Sequence, residues 1–271
     1  MRIAVVSDIH ANLVALEAVL GDAEASAPID AVWSLGDCVG YGPQPAECVA
    51  RMKALDAVMI AGNHERAATG AIGVEDFNPD AAAAALWTRD RLTEDEKGFL
   101  DALPEVVGLS PHPNLKAGSA GSQDPSLMVG ASGHEFTLVH GTLRWPIWEY
   151  LYSYEAALGH LQLQTSPFGF VGHTHVPALV VEDMQAPHGC EMYRLPEVAT
   201  IELAGGRRLV INPGSIGQPR DGDPRAAYAV YDTAAMTVTL HRVKYDIRKT
   251  QKRMEAEQLP RRLIERLSAG R

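Results

Sequence analysis

Cysteine is scarce in this sequence. Three cysteines occur among 271 residues, and Cys38, Cys48 and Cys190 form no CxxC pair. An odd number of widely spaced cysteines argues against a disulfide framework and against a cysteine-ligated zinc site. We therefore expect the protein to work in a reducing compartment.

Long hydrophobic runs are absent as well. The segment Met1–His10 has one basic residue before a short apolar run that ends at Asp8, which is typical neither of a signal peptide nor of a membrane span. No other stretch is long and apolar enough to cross a bilayer. We therefore expect a cytoplasmic location and no membrane partner.

Basic residues are outnumbered by acidic ones. Lysine and arginine total 24 against 34 aspartates and glutamates, which gives a formal net charge of −10. An acidic surface repels the phosphate backbone, so we expect no contact with long nucleic acids and disfavour a nuclease that acts on long DNA. A small phosphorylated substrate remains compatible, because bound metal ions can reverse the field locally.

Short apolar runs that end abruptly in polar blocks dominate the rest of the chain. Hydrophobic residues make up 46% of the sequence, which suffices for a sizeable core, and we expect one domain over residues 1–271. Runs of this length predict strands buried on both faces. They cover Arg2–Val6, Ala31–Leu35, Ala57–Ala61, Phe136–Val139, Phe168–Val171 and Leu209–Ile211.

Helical patterns separate the early runs, and this alternation predicts an α/β fold. Asn12 is placed to cap a first helix, and Pro45 can open a second. Asn78 precedes Pro79 at the start of a third, and Thr93 with Glu96 forms a capping box before a fourth. A further helix is predicted over Glu149–Leu163.

The later sequence predicts consecutive strands and a C-terminal surface helix at about 247–267, interrupted at Pro260. The strands are Ala178–Glu182, Thr200–Leu203, Arg207–Ile211, Ala227–Asp232 and Met236–Val243. Gly205-Gly206 predicts a hairpin turn between the second and third of these. Ser110–Gly133 has no clear period and is predicted to be a long loop, and Met184–Ala199 shows no element either.

The polar blocks carry the residues that indicate chemistry. Ligand sites of α/β sheets lie beyond the carboxyl ends of the strands, where these blocks fall. Carboxylate, carboxamide and imidazole groups suit Mn²⁺, Fe²⁺/³⁺, Zn²⁺, Ni²⁺ or Co²⁺. We expect one cleft to collect Asp8, His10, Asp37, Asn63, His64, His140, His173 and His175.

Each block alone has a structural alternative. Asp8 with His10 fits a cap, Gly36-Asp37 fits a turn, and His140 fits an ordinary core histidine. Gly172-His173-Thr174-His175 is the most specific block, because two side chains at i and i+2 share a side of an extended segment. Five such blocks in this order favour a metal site.

The order of the blocks resembles the calcineurin-like metallophosphoesterase superfamily. That family carries D-x-H, G-D, G-N-H-[DE], H and G-H-x-H in this order, and all five occur here over roughly residues 1–243. Asp8–Asn12 and Gly172–His175 most resemble its small bacterial and archaeal phosphodiesterase branch. The resemblance implies a four-layer αββα sandwich of two mixed sheets flanked by helices.

The same resemblance implies roles for individual residues. Two divalent transition-metal ions are implied, with Mn²⁺ as our first expectation and Fe, Zn, Ni or Co as alternatives. Asp37 would bridge them, and His64 would donate a proton or a hydrogen bond to the substrate beside Asn63. The first ion would take Asp8, His10 and His175, and the second would take Asn63, His140 and His173.

This pattern favours hydrolysis of a small phosphate ester, a phosphodiester or a nucleotide, by water that the metals activate. A phosphomonoesterase or a protein phosphatase is the alternative. Gly36–Pro43 lacks the arginine that Ser/Thr protein phosphatases carry soon after the second block, which argues against a protein substrate. A non-catalytic metal-binding scaffold is less favoured, because every ligand position is retained.

Several neighbours are secondary candidates. Tyr41 is placed either to stack on a nucleobase or to pack on the core, and Arg144 is placed to contact a phosphate. The tryptophans of Arg144–Trp148 suggest a substrate wall, a lid or a homodimer contact. Arg220 is placed to reach the site from a charged turn. Glu65 fits either a support for the ligand loops or a helix-start acid.

Overall fold

Two six-stranded sheets form the centre of the protein, with helices on their outer faces. The structure is a computed structural model that describes residues 1–110, 135–195, 197–203 and 206–271. The first elements are β1 (Arg2–Val6), α1 (Leu13–Ser26), β2 (Ala31–Ser34), α2 (Pro45–Ala54), β3 (Val58–Met59), α3 (Asn63–Thr69), α4 (Pro79–Arg91), α5 (Glu94–Asp101) and β4 (Val106–Leu109).

The remaining elements contain most of the second sheet and the last helices. They are β5 (Phe136–Val139), α6 (Tyr154–Leu163), β6 (Phe168–Phe170), β7 (Ala178–Glu182), β8 (Cys190–Arg194), β9 (Ala199–Glu202), β10 (Leu209–Asn212), β11 (Ala226–Asp232), β12 (Thr237–Val243), α7 (Ile247–Ala256) and α8 (Arg261–Arg266). A 3-10 turn, Leu267–Ala269, follows. Within the described residues, no helix has both the length and the hydropathy needed to cross a bilayer.

Both sheets are mixed, and each contains one run of three parallel strands. The first sheet has the order β3-β2-β1-β11-β12-β9, and the second has the order β4-β5-β6-β10-β7-β8. Strands β3, β2 and β1 are parallel in the first sheet, as are β5, β6 and β10 in the second. All other pairs are antiparallel.

The core lies in three layers, which confirms the predicted αββα sandwich. Ile3 and Val5 of β1 point between the sheets and pack with Phe136 and Phe170 of the second sheet. Ala4 and Val6 point the other way, because successive side chains of a strand alternate, and they pack with α1 and α2. On the far side, α6 packs against β5, β7, β8 and β10.

The predicted helix starts are confirmed in the first half of the chain. The side-chain oxygen of Asn12 accepts from the backbone N–H of Ala15 at 3.2 Å, and that of Asn78 accepts from Ala81 at 3.0 Å. Thr93 and Glu96 form the expected capping box. These side chains satisfy backbone donors that no helical carbonyl can reach.

Some local predictions are wrong. The strands on either side of Gly205-Gly206 form no hairpin: β9 pairs with β12 in the first sheet, and β10 pairs with β6 and β7 in the second. Gly205 itself lies outside the described residues. The helix predicted from Glu149 begins only at Tyr154, because Ser153 is its cap. The loop predicted at Ser110–Gly133 lies outside the described residues beyond Ser110.

Other elements are additional to those predicted. Strand β8 falls within Met184–Ala199, for which no element was expected, and β4 and α3 were also not predicted. The C-terminal helix is interrupted as predicted: α7 ends at Ala256, and α8 begins directly after Pro260. One side of this pair is buried rather than fully solvated, since Met254, Leu263 and Leu267 pack with Tyr41.

Candidate metal centre

The predicted site residues follow the parallel strands of both sheets. Asp8 and His10 follow β1, Asp37 follows β2, His140 follows β5, and a turn after β6 carries His173 and His175. Hydrogen bonds cross from one sheet to the other here. The backbone N–H of His173 donates to Oδ2 of Asp8 at 3.2 Å, and Nδ1 of His140 lies 2.7 Å from the carbonyl oxygen of Leu35.

The backbone at five candidate ligands lies in the left-handed region. The φ angles are 52° at Asp8, 48° at His10, 53° at Asp37, 63° at His173 and 60° at His175. Non-glycine residues adopt such angles rarely and at a cost in free energy, and they cluster at functional sites. The loops hold each other in place, because the N–H of Asp8 donates to the carbonyl of Gly36 at 3.1 Å.

Two glycines allow the blocks to approach each other closely. A Cβ atom at Gly62 would collide with Oδ1 of Asp37, and one at Gly172 would collide with Oγ of Ser7. That serine donates to Oδ2 of Asp8 at 2.6 Å. The glycines before Asn63 and His173 are therefore needed for the packing of the carboxylate loops.

Glu65 holds the loop that carries Asp37. Its carboxylate accepts from the backbone N–H of Asp37 at 2.8 Å, Cys38 at 2.7 Å, Val39 at 3.2 Å and Gly62 at 2.7 Å. Burial and the Asp37 carboxylate raise the pKa of Glu65 to about 7, and the N–H donors oppose that rise. Glu65 is thus a support for the loop as well as a helix-start acid.

The first group of candidate ligands contains two histidines whose free nitrogens face each other. Nδ1 of His10 lies 3.1 Å from the carbonyl oxygen of Val39, and Nδ1 of His175 lies 2.6 Å from that of Gln218. A carbonyl only accepts, which assigns the proton to each Nδ1 and a lone pair to each Nε2. The two Nε2 atoms lie 3.1 Å apart.

A carboxylate oxygen lies close to these two nitrogen lone pairs. Oδ1 of Asp8 lies 3.1 Å from Nε2 of His175 and 3.8 Å from Nε2 of His10, and it has no hydrogen-bond partner among the described residues although it is buried. Three acceptors without a donor between them repel one another unless a cation lies among them. The arrangement fits a metal ion.

The second group repeats the arrangement. Nδ1 of His140 faces the Leu35 carbonyl, and Nε2 of His173 lies 3.2 Å from the carbonyl oxygen of Trp148. The other nitrogens, Nε2 of His140 and Nδ1 of His173, lie 3.1 Å apart. Oδ2 of Asp37 is 3.2 Å from Nε2 of His140. A proton or a metal ion must separate these acceptors.

Asp37 is common to both groups. One group consists of Asp8, His10, Asp37 and His175, and the other of Asp37, His140 and His173; within each group the ligand atoms lie within 4.8 Å of one another. Oδ2 of Asp37 lies 3.7 Å from Nε2 of His10 in addition to its contact with His140. The structure therefore brings six predicted ligands together around one shared carboxylate.

Asn63 is the seventh predicted ligand and begins α3. It is buried, and its Oδ1 has no hydrogen-bond partner within the described part of the chain. A buried amide oxygen without a donor costs free energy, which a cation would recover. The oxygen and nitrogen donors of the whole set fit borderline divalent transition metals.

The charges of the site favour a bound cation. Burial alone would raise the pKa of Asp8 and Asp37, but nearby histidines hold both below the ordinary value. Burial lowers the pKa of His173 to about 3. Burial also opposes protonation of His140, yet the Asp37 carboxylate raises its pKa to about 9. A positive charge beside Asp37 is thus favoured.

His64 lies against the first group of ligands. Its ring centroid is 4.9 Å from that of His10 and 4.4 Å from that of Tyr41, and its backbone N–H donates to Oδ1 of Asp37 at 3.0 Å. Nδ1 of His64 is buried without a partner among the described residues. Burial lowers its pKa to about 4, although Asp37 opposes the change. His64 is neutral at neutral pH.

Tyr41 is 7% exposed and packs with the C-terminal helices. Its ring centroid lies 4.5 Å from that of His10. With its ring between imidazoles and α8, it has little free surface for a nucleobase. This placement agrees with the packing alternative.

Arg144 is engaged elsewhere. Its guanidinium forms a bidentate ion pair with Glu149, lies 3.4 Å from Glu155, and covers the ring of Trp145 at 5.6 Å. The structure does not bring this side chain into contact with the candidate ligands. A phosphate contact by Arg144 stays a prediction, and it requires the pair with Glu149 to open.

The roles of three further groups in the site were not predicted from the sequence. The Trp148 carbonyl orients His173, and the ring of Tyr150 stacks on His173 with centroids 4.0 Å apart. Asn212 donates to the Gly172 carbonyl at 2.7 Å and so holds the last histidine turn. The polar end of a buried strand was the only signal for Asn212, and no sequence pattern marks a backbone carbonyl.

The sequence is similar to those of known proteins. The family model of the calcineurin-like phosphoesterase superfamily domain matches residues 1–236. An uncharacterized protein of Methanocaldococcus jannaschii is 34% identical over 99% of this chain and 98% of its own length.

Two crystal structures cover the whole chain. A metallophosphoesterase from Sphaerobacter thermophilus has 40% identity and a TM-score of 0.82, with 99% of its own chain covered. A hypothetical protein from Pyrococcus horikoshii shares the fold at 20% identity, with a TM-score of 0.72 and 98% of its own chain covered. Together with the family match and the arrangement of aspartates and histidines, these similarities show that the chain belongs to the calcineurin-like phosphoesterase superfamily.

Proposed function

We propose that this chain is a dinuclear metal-dependent phosphoesterase that hydrolyses a small phosphate ester, either a phosphodiester or a nucleotide. The observation that carries the proposal is the sharing of Asp37 by two groups of converging ligand atoms. A carboxylate common to two sites is the arrangement by which two-metal enzymes hold their ions close together. Mn²⁺ is the proposed physiological metal.

Two separate sets of residues would hold the two ions, in addition to the shared Asp37. Asp8, His10 and His175 would hold one ion, and Asn63, His140 and His173 would hold the other. When bound, divalent ions polarise a phosphoryl oxygen and make water a better nucleophile. The backbone carbonyls that accept from the far nitrogen of each histidine fix its tautomer and orientation, which leaves a lone pair directed at the ion.

His64 is proposed to act on the substrate and not on the metals. Its imidazole is neutral when buried, so its N–H is suited to donate a hydrogen bond to a phosphoryl or leaving-group oxygen. The negative charge of a bound phosphate would raise the pKa of this ring and so favour the imidazolium form, which has a proton to give to a leaving group. The neighbouring rings of Tyr41 and Phe77 restrict the orientation of His64.

The test is hydrolysis by protein that has been stripped with a chelator and then reconstituted. We expect activity with Mn²⁺ to exceed activity with Mg²⁺ or Zn²⁺, and bis(p-nitrophenyl) phosphate to be cleaved faster than p-nitrophenyl phosphate. A panel of nucleotides then defines the substrate. Protein that binds metal yet cleaves none of these esters would be a metal-binding scaffold, and the proposal would fail.

A further inference from the structure

Arg220 is a half-buried cation beside the candidate metal centre. Its guanidinium lies 3.0 Å from Oε1 of Gln218 and 3.5 Å from the hydroxyl of Tyr41, and it interacts electrostatically with Tyr150. These partners are neutral. Within residues 1–110, 135–195, 197–203 and 206–271, Arg220 forms no ion pair.

Several other half-buried arginines do have carboxylate partners. Arg144 pairs with Glu149, Arg208 pairs with Glu182, and Arg225 pairs with Asp223. Taking a guanidinium out of water without an anion is costly, so a half-buried one that lacks a carboxylate favours binding of an external anion. Burial and the charge of Arg220 lower the pKa of Arg266 to about 10, which indicates positive potential here.

The two tyrosines place this cation over the candidate ligands. Tyr41 packs on His10 and His64, whereas Tyr150 lies flat on His173, with an interplanar angle of 9°. These histidines belong to different parts of the site. A guanidinium that interacts with both tyrosines therefore lies beside both parts of the site.

The backbone fixes the same position. The N–H of Arg220 donates to the carbonyl of His175 at 3.3 Å, and the N–H of Gly217 donates to the carbonyl of Asp8 at 2.9 Å. The loop that carries Arg220 is thus attached to the turns of two candidate ligands. The backbone of Arg220 is therefore held in place relative to the ions that those turns would hold.

We propose that Arg220, a cation supplied by the loop after β10, binds the phosphoryl group of the substrate. This inference rests on the proposed phosphoesterase function. A planar guanidinium can contact two phosphoryl oxygens at once, while Tyr41 and Tyr150 act as positioning residues.

The test combines binding and turnover in metal-loaded protein. Inorganic phosphate is the probe for calorimetry, and bis(p-nitrophenyl) phosphate is the substrate. Arg220→Gln should weaken phosphate binding and lower kcat/KM by about tenfold or more, as expected for the loss of hydrogen bonds to a charged group. Arg220→Lys should recover part of both, and Tyr41→Phe should show a smaller loss in the same direction.

Arg261→Gln is the matched control, because it removes the same charge from an 89% exposed side chain. It should leave both measurements unchanged. The inference is overturned if Arg220→Gln behaves like this control, or if the variant loses its metals together with its phosphate affinity. Wild-type protein that binds phosphate through Arg220 but hydrolyses nothing would instead overturn the phosphoesterase proposal alone.

Discussion

At the scale of single residues, Asp37 is the carboxylate on which the dinuclear site depends. Asp37→Asn keeps an oxygen that can accept from His64 but removes the negative charge shared by both groups. We expect this variant to lose most of both ions, whereas Asp8→Asn should retain the ion of the other group. Metal analysis after dialysis measures both, with the exposed Asp90→Asn as control. Equal losses in Asp8→Asn and Asp37→Asn would contradict the shared role.

His64 gives a second prediction at this scale. Its side chain packs beside the ligands but is not proposed to hold a metal, so His64→Ala should retain the full metal content. Loss of a positioned donor lowers turnover by roughly a hundredfold or more. Steady-state kinetics and metal analysis on the same preparation test this. A variant that lost metal in proportion to activity would make His64 a ligand instead.

The candidate ligands could be predicted from the sequence because the side chains themselves carry the signal. Asp, His and Asn at the ends of apolar strands are recognisable wherever the strands converge. The contributions of the Trp148 carbonyl and the Tyr150 ring could not be predicted in the same way. A carbonyl and a stacked ring acquire their roles from the path of a loop, which leaves no residue pattern. Arg220 was predicted to reach the site, but the sequence did not indicate its partners.

At the scale of elements, the attachment of α3 to the loop after β2 decides whether Asp37 is held in position. Glu65→Gln would leave one oxygen for four N–H donors and point an amide group at some of them. We expect a loss of about 2–4 kcal/mol in the free energy of unfolding. Urea denaturation measures it, with the exposed Glu24→Gln as control. A loss equal to that of the control would show that these hydrogen bonds contribute little.

The positions of the strands were easier to predict than the pairing between them. Apolar runs such as Phe136–Val139 must be buried on both faces, and a central strand of a sheet meets that requirement. Pairing across a Gly-Gly turn is a preference that tertiary packing overrides, and here β9 and β10 enter different sheets. Strand β8 escaped prediction because its burial is partial and its side chains are mixed.

At the scale of the whole molecule, the candidate site joins the two sheets. Asp8 and Asp37 come from the first sheet, whereas His140 and His173 come from the second. Ions held between them would bind the native state only, and saturation at about 100 times the dissociation constant adds about 2.7 kcal/mol of stability. Mn²⁺ should therefore raise the thermal midpoint in calorimetry, and Asp37→Asn should abolish most of that rise.

The homodimer contact through exposed tryptophans stays a prediction. Trp145 is 62% exposed and Trp148 is 37% exposed, and both lie on the segment that follows His140. Paired tryptophans of this kind suit a homodimer interface. Sedimentation of the wild type and of Trp145→Ala would test this, and a monomeric wild type at high concentration would exclude the dimer.

The position of β1 has a consequence for how the protein is made. This strand carries Asp8 and His10, yet it is sandwiched between β2 and β11, and the latter is translated only after all of the second sheet. Asp8 and His10 are the first proposed ligands to be synthesised. The strand that precedes them gains its second neighbour only when most of the chain has been translated. Loading of the ions is expected to be an event of maturation, governed by what the cell supplies once translation has ended.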